Sequence, residues 1–387
     1  MKRGVTGTYE VSTLAGERVR AFIPDALPPD PALKFGAGLQ EKLDSALLAV
    51  GRLDGVSALL RDLSLFLYAY VRKEAVLSSQ IEGTQSSFSD LLLFELDEAP
   101  GVPLDDVQEV SNYVAALDHG LRRLRGGFPL SNRLIREIHA VLLSRGRGSG
   151  KDPGEFRRSQ TWIGGTRPGN AKFVPPPDRK VGQCMSALEK FLHDEKAPLP
   201  MQARTALAHV QFETIHPFLD GNGRVGRLLI TFQLWHSGIL RQPLLYLSLY
   251  FKQNRSRYYE LLDRVRREGD WEAWLAFFLD GVRQTAESAV ITARRLAALF
   301  SADRQRISGG GRRAGSAIRV HEAFKARPVT SMQHLRKRSG LSFPATAAGM
   351  DLLRELGIAR ELTGKRRNRV FAYDAYLAIL NEGTEAI

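Results

Sequence analysis

From Leu39 onward, apolar residues recur at spacings of three and four: Leu43, Leu47 and Leu48, then Val56, Leu59 and Leu60, then Leu67, Val71 and Val76. That spacing gives each helix one apolar stripe, so the stretch is read as a run of helices sharing a core. Further helices are predicted over residues 105–124 and 132–143, the latter opening with Ser131 in an N-cap position. Residues 201–214 are helical by composition, Val225, Leu228, Leu229 and Phe232 mark one face of the next helix, and a long helix ends near Ala302. Two stretches alternate instead. Tyr9-Glu10-Val11, in the Pro- and Gly-rich residues 1–36, reads as a short strand in an N-terminal arm. Residues 161–163 (Thr-Trp-Ile) and 172–174 (Lys-Phe-Val) read as a β-hairpin, with Pro168 and Gly169 suited to a type II turn and Pro175, Pro176 and Pro177 closing it off.

A second composition shift comes at Ser308-Gly309-Gly310-Gly311, expected to be a flexible linker. Beyond it, helices are predicted over 319–325, 331–338 and 344–356, and strands over 359–362 and 369–373 around Thr363-Gly364-Lys365-Arg366-Arg367-Asn368. Three helices and a basic wing resemble a winged helix-turn-helix, with the third helix as groove reader and Lys365, Arg366 and Arg367 available to phosphates. The chain therefore divides into an N-terminal arm and helices (1–110), a helical core with a small hairpin (111–302), a linker (303–313) and a winged-helix domain (314–387). The fold class is mainly α.

Composition narrows the function classes. With 43% hydrophobic and 25% charged residues among 387, the chain is a folded one, and fibrous, collagenous and disordered classes are excluded. Lys and Arg number 55 against 42 Asp and Glu, a net charge of +13. Residues 303–372 hold 16 basic and 5 acidic residues, a net of +11, so the excess is local and favours a polyanionic partner, either DNA or an acidic protein. The single Cys184 permits no internal disulfide and removes thiolate zinc sites. No segment approaches the roughly 20 apolar residues of a membrane span, and no apolar run follows the first basic residues, so a cytoplasmic protein without membrane contact is expected.

The candidate chemistry lies in His216-Pro217-Phe218-Leu219-Asp220-Gly221-Asn222-Gly223-Arg224-Val225-Gly226-Arg227, a tight loop between two helices. Gly221, Asn222 and Gly223 can turn the free N–H groups of the second helix's first turn toward one point, and the helix dipole favours an anion there. Arg224 and Arg227 are three apart and share a face, which suits a triphosphate. Asp220 is the lone carboxylate. Mg²⁺ takes one or two protein carboxylates and completes its shell with phosphate oxygens and water. His216 stands where a base is needed, since imidazole can accept a proton from a hydroxyl at neutral pH.

This run resembles the signature of the Fic family, HPFx(D/E)GNGRxxR, and matches it at every defined position. The resemblance implies a helical Fic core that transfers AMP from ATP to a protein hydroxyl and releases pyrophosphate. It makes His216 the base and Asp220 the Mg²⁺ ligand, with Gly221, Asn222 and Gly223 as the anion nest. Arg224 would hold the distal phosphates, Arg227 the γ-phosphate, and Phe218 would anchor the loop from a buried position. The hairpin would be a flap that aligns the target segment by main-chain pairing, and Tyr258, Tyr259 and Asn254 are candidates for the adenine pocket, with core packing an equal alternative for the tyrosines.

Ser78-Ser79-Gln80-Ile81-Glu82-Gly83 ends the helix that begins near Leu67 and is similar to the family's inhibitory motif, (S/T)xxxE(G/N). Ser78 and Glu82 share a face, and Gly83 suits the position that stops the helix. The implied mechanism pairs Glu82 with Arg227 and so withholds the guanidinium from the γ-phosphate. Expected partners are thus ATP, Mg²⁺, a protein with a Ser, Thr or Tyr acceptor, DNA or an acidic partner at the C-terminal module, and a second copy in a homodimer. Two other readings stay open: a nucleotide-sensing DNA-binding regulator, and a hydrolase that removes AMP from modified proteins.

Overall fold

The computed structural model describes residues 1–14, 16–59, 63–96, 102–194, 199–365 and 367–385; Leu60 and Arg366, named above, lie outside them. The chain opens with an antiparallel hairpin, β1 (Gly7–Leu14) and β2 (Glu17–Pro24), paired from Gly7 with Pro24 to Leu14 with Glu17. The expected three-residue strand is therefore a full hairpin. Val19 and Ala21 are buried on one face with Val174 and Phe22 on the other against Tyr9 and Phe173, and Gly16 takes the turn at φ +80°, a conformation open to glycine.

Helices α1 (Ala37–Leu59), α2 (Leu63–Ile81), α3 (Phe88–Phe94), α4 (Leu104–Arg125), α5 (Asn132–Leu142), α6 (Asp178–Leu192), α7 (Met201–Ile215) and α8 (Asn222–His236) follow. Then come α9 (Ser248–Gln253), α10 (Arg255–Glu268) and α11 (Trp271–Ser308). Ser131 caps α5 as expected, its side chain accepting from the Leu134 N–H. Helix α7 is buried on almost every side, from Gln202 to Phe212, and so serves as the central post on which α6, α8 and α10 rest. Trp274 of α11 donates its indole N–H to the Ala206 carbonyl (2.8 Å) and ties the long helix to that post.

The predicted 161–174 hairpin shrinks to a single antiparallel bridge between Ile163 and Phe173. Gly164 and Gly165 adopt positive φ, and residues Pro168–Asn170 form a 3₁₀ turn in which Asn170 Oδ1 accepts from the Thr166 and Arg167 N–H groups (3.0 Å each). Side-chain acceptance of this kind competes with ladder pairing. The Val174 carbonyl is already taken by the Phe22 N–H of β2 (2.9 Å).

The linker expectation also fails. Helix α11 does not end near Ala302 but runs to Ser308, because Asp303 and Ile307 are buried against the C-terminal module and Asp303 accepts from the Tyr373 hydroxyl (2.6 Å). The glycine run is a tight turn: a Cβ on Gly310 would collide with Leu352. Beyond it lie α12 (Ala314–Lys325), β3 (Val329–Ser331), α13 (Met332–Ser339), α14 (Phe343–Glu355), β4 (Arg360–Glu361), β5 (Val370–Ala372) and α15 (Asp374–Asn381). The strands form a sheet of order β3-β5-β4, so the two predicted strands gain a third. Helix α15, not foreseen, returns the chain to α2 and α11. There Lys73 donates to the Glu382 carbonyl (2.6 Å) and Gln80 to the Thr384 carbonyl (2.9 Å). Among the described residues no helix is long and apolar enough to cross a membrane.

Candidate active site

The loop from His216 to Gly221 joins the two most buried helices of the body. His216 ends α7 in the left-handed region (φ 49°), a conformation that costs a non-glycine residue energy and must be held by its surroundings. Arg157 holds it. This arginine, 2% exposed, donates from Nε to the His216 carbonyl (2.9 Å), from Nη1 to the Ser159 carbonyl (3.1 Å) and from Nη2 to the Pro176 carbonyl (2.5 Å). Its own N–H reaches the Pro217 carbonyl (2.9 Å). Burial, and then the nearby Arg157 charge, push the His216 imidazole down to about 4, so the ring is neutral at pH 7.

Phe218 is fully buried and stacks on His139 at 3.7 Å between centroids. His139 Nδ1 accepts from the Gly154 N–H (2.9 Å), which leaves Nε2 to donate to the Asp220 carbonyl (3.0 Å). Burial pushes this histidine down to about 4 and keeps it in that neutral form. Asn222 closes the loop from the other side, its amide spanning the Phe218 N–H (2.9 Å) and carbonyl (2.8 Å). The Asn222 side chain is thus a staple, and what the helix start offers an anion is backbone. Gly221 (φ +76°) precedes α8, and the helix's first bond runs from the Val225 N–H to the Gly221 carbonyl (3.0 Å), leaving the N–H groups of Asn222, Gly223 and Arg224 outside the ladder.

Three carboxylates, Glu82, Glu109 and Asp220, occupy this corner. Glu82 lies one residue past α2, and its Oε1 accepts from Arg227 Nη2 (2.8 Å). Arg227 also donates to the Ser78 hydroxyl and carbonyl (2.8 Å each) and is 3% exposed. A Cβ on Gly223 would collide with Glu82 Oε1, so the carboxylate sits directly over the start of α8. Burial alone would raise the Glu82 pKa, but Arg227 holds it below the ordinary carboxylate value. Gly83 (φ +104°) turns the chain away behind it. Arg224 is equally enclosed, bonded to Glu109 Oε2 (3.0 Å) and to Asp220 Oδ1 (3.4 Å), while Arg147 pairs with the other Glu109 oxygen (2.8 Å).

Asp220 is the one partly exposed carboxylate of the loop, with 38% of its side chain accessible. Among the described residues no group of three or more His, Cys, Asp or Glu could hold a metal ion. A dication here would need phosphate oxygens and water for most of its shell. That suits Mg²⁺ arriving with a nucleotide and fits a single-carboxylate site.

The loop residues and the inhibitory motif are therefore brought together, and Tyr258 lies buried behind them, within reach of the Arg227 and Glu82 charges but facing no open pocket. Tyr258 is 2% exposed, its hydroxyl bonded to His209 Nε2 (2.8 Å) and its ring against Phe251 and Trp274. It belongs to the aromatic core, whereas Tyr259 is exposed and the Asn254 amide turns back to the Tyr250 carbonyl (2.9 Å). Glu109, His139 and Arg157 were missed by sequence reasoning. Each acts from 59 residues or more away in sequence on the loop it supports, and no local pattern distinguishes them from surface acids and bases.

Two family models match the chain: "Fic/DOC family N-terminal" over residues 40–122 and "Fic/DOC family" over residues 129–234. The chain is 30% identical over 188 residues to a protein adenylyltransferase Fic of Drosophila sechellia, a match covering 48% of this chain and 35% of that protein. It is 32% identical over 182 residues to the same-named protein of Culex quinquefasciatus (46% and 33%). The matched part is about a third of the length of these curated relatives. A solved Fic family protein from Desulfovibrio desulfuricans shares the fold with a TM-score of 0.59 at 20% identity, covering 90% of this chain and 98% of that one.

Proposed function

We propose that this chain, which carries the Fic/DOC family domain over residues 129–234 behind the family's N-terminal region, transfers AMP from ATP to a hydroxyl of a target protein and is restrained by Glu82. The observation that carries the reading is the seat of Glu82. A carboxylate lies over Gly223 at the start of α8 and is bonded to the buried Arg227, so an anionic group already fills the cradle that a terminal phosphate would need.

In the proposed reaction the acceptor hydroxyl oxygen bonds to the α-phosphorus, the bond from that phosphorus to the bridging oxygen breaks, and pyrophosphate leaves. His216, neutral and held by Arg157, takes the hydroxyl proton. Arg224, and Arg227 once Glu82 withdraws, would meet the leaving phosphates with charge already in place. Mg²⁺, held by Asp220 and phosphate oxygens, would supply neutralisation of the phosphate charge. While Glu82 keeps Arg227, the γ-phosphate lacks its partner and basal transfer is low. The C-terminal module, with its exposed Arg367, would bind DNA or an acidic surface from the cytoplasm.

Mass spectrometry of the Glu82→Gly protein incubated with ATP, Mg²⁺ and cell extract tests the reaction class. Hydroxyl residues carrying an AMP adduct are expected; adducts of phosphate alone, or none with ATP intact, overturn the reading.

A further inference from the structure

One turn along α2 from Ser78, the partner of Arg227, lies a cavity of about 190 Å³ between α2, α9 and α11. It is larger than an engineered cavity of roughly 150 Å³ that accepts benzene. Its walls are partly aromatic, from Tyr70, Tyr246 and Tyr250, and its mouth carries the exposed Gln253, Gln284 and Ser288.

Two of the residues lining it each hold an unsatisfied, fully buried polar atom. Glu74, 2% exposed, uses Oε1 to accept from the Tyr113 hydroxyl (3.1 Å) and the Ser248 hydroxyl (2.5 Å), while its Oε2 has no hydrogen-bond partner among the described residues. The Tyr246 hydroxyl, also buried, likewise lacks one. A carboxylate oxygen buried without a donor is costly, and native interiors seldom leave one so. Burial pushes the Glu74 carboxyl up to about 7 even though the Ser248 hydroxyl and the Arg227 charge pull it down, and a cation closer to it would lower it further. Lys73 also lines the cavity, but its ammonium is drawn aside to the Glu382 carbonyl (2.6 Å).

We propose that this cavity is a binding site for a small organic molecule bearing a primary ammonium group, which donates to Glu74 Oε2 and lies against the faces of Tyr70, Tyr246 and Tyr250. An ammonium among tyrosine rings gains from their negative faces, more so where water is excluded. The ligand is of about the size of an aromatic amine. The ammonium belongs either to a simple amine or to a free amino acid. Glu74, Ser78 and Glu82 follow at intervals of four, so the occupant touches the helix that carries the restraint. The site itself needs no part of the nucleotide reading and stands or falls separately.

Calorimetric titration of the full chain without nucleotide tests it, using benzylamine, L-phenylalanine and the neutral benzyl alcohol. Saturable binding of one of the two ammonium compounds at one site, weakened at least about tenfold by Glu74→Gln and blocked by Ser288→Phe at the mouth, is the expected result. Tighter phenylalanine would identify an amino acid as occupant; tighter benzylamine, a simple amine. Unchanged melting temperatures would confirm that both variants fold, and Ser288→Phe, on an exposed position, keeps the test alive if Glu74→Gln does not. Benzyl alcohol bound as well as the amine, binding indifferent to both variants, or no heat with either ammonium compound would leave a water-filled cavity and overturn the proposal.

Discussion

The helical body and the C-terminal module both place arginines beside carboxylates, yet in opposite surroundings. In the body, Arg224 and Arg227 are 3% exposed and each is matched by a carboxylate, Glu109 or Glu82. In the module, Arg313 with Glu355 and Arg360 with Asp374 pair on the surface, and Glu322 pairs there with Arg304 of α11. A buried guanidinium left alone is costly, so its partner must be replaced rather than simply removed. Surface pairs are screened and contribute little, so basic charge there is free to meet whatever polyanion arrives. On the proposed function, the first region would exchange one anion for another and the second would attract one.

The largest expected effect breaks the chemistry of the first region. His216→Ala should lower transfer by about 10²–10⁴-fold while ATP binding, measured by titration, stays close to wild type. Retained turnover would remove the histidine from its assigned role. Arg157→Gln should follow, with a loss on the order of 10²-fold, since the guanidinium holds the strained backbone of His216 in place. A change confined to nucleotide affinity would place Arg157 elsewhere in the mechanism.

A stability measurement sharpens the contrast. Glu272 accepts from Arg3 (2.6 and 2.8 Å) and from the Lys34 N–H (3.0 Å). Burial opposes its charge, but these donors bring its pKa down to about 2. Because the folded value is depressed, the pair's contribution of about 2–3 kcal/mol is complete above the unfolded value near pH 4.3 and fades as pH falls toward 2. Glu272→Gln should therefore lower the melting temperature at pH 7 and flatten its acid limb over that window; parallel curves would contradict this.

The smallest effect belongs to the module. Binding of the full chain to mixed-sequence duplex DNA should weaken steeply with salt, and Arg367→Ala should reduce the slope of log K against log salt by about 1. Salt-independent association, or an unchanged slope, would favour a protein contact instead.

The same contrast explains what was legible in the sequence. The chemistry of the loop was readable because twelve contiguous residues carry it, and the pairing of Glu82 with Arg227 followed from a second short motif. The supports were not: His139 and Arg157 act across the fold on backbone carbonyls, a use that leaves no periodic trace. Helices with clear three-and-four spacing were found, whereas the 161–174 ribbon was overread because Gly164, Gly165 and the Asn170 side chain defeat a strand pattern only three residues long. The linker failed for a tertiary reason, since Asp303 and Ile307 gain from burial what the glycine run alone would not predict. Tyr258 and Tyr259 look alike in one dimension, and only the fold separates the buried Tyr258 from the exposed Tyr259.

The central claim is that Glu82 holds Arg227 away from the nucleotide. It is tested most directly by the initial rate of AMP incorporation from ATP labelled at the α-phosphate, for Glu82→Gly beside wild type at equal protein and Mg²⁺. The account predicts a rate at least about tenfold higher in the variant, a barrier lowered by about 1.4 kcal/mol or more. Equal rates, with the Glu82→Gly protein folded and active, would contradict it.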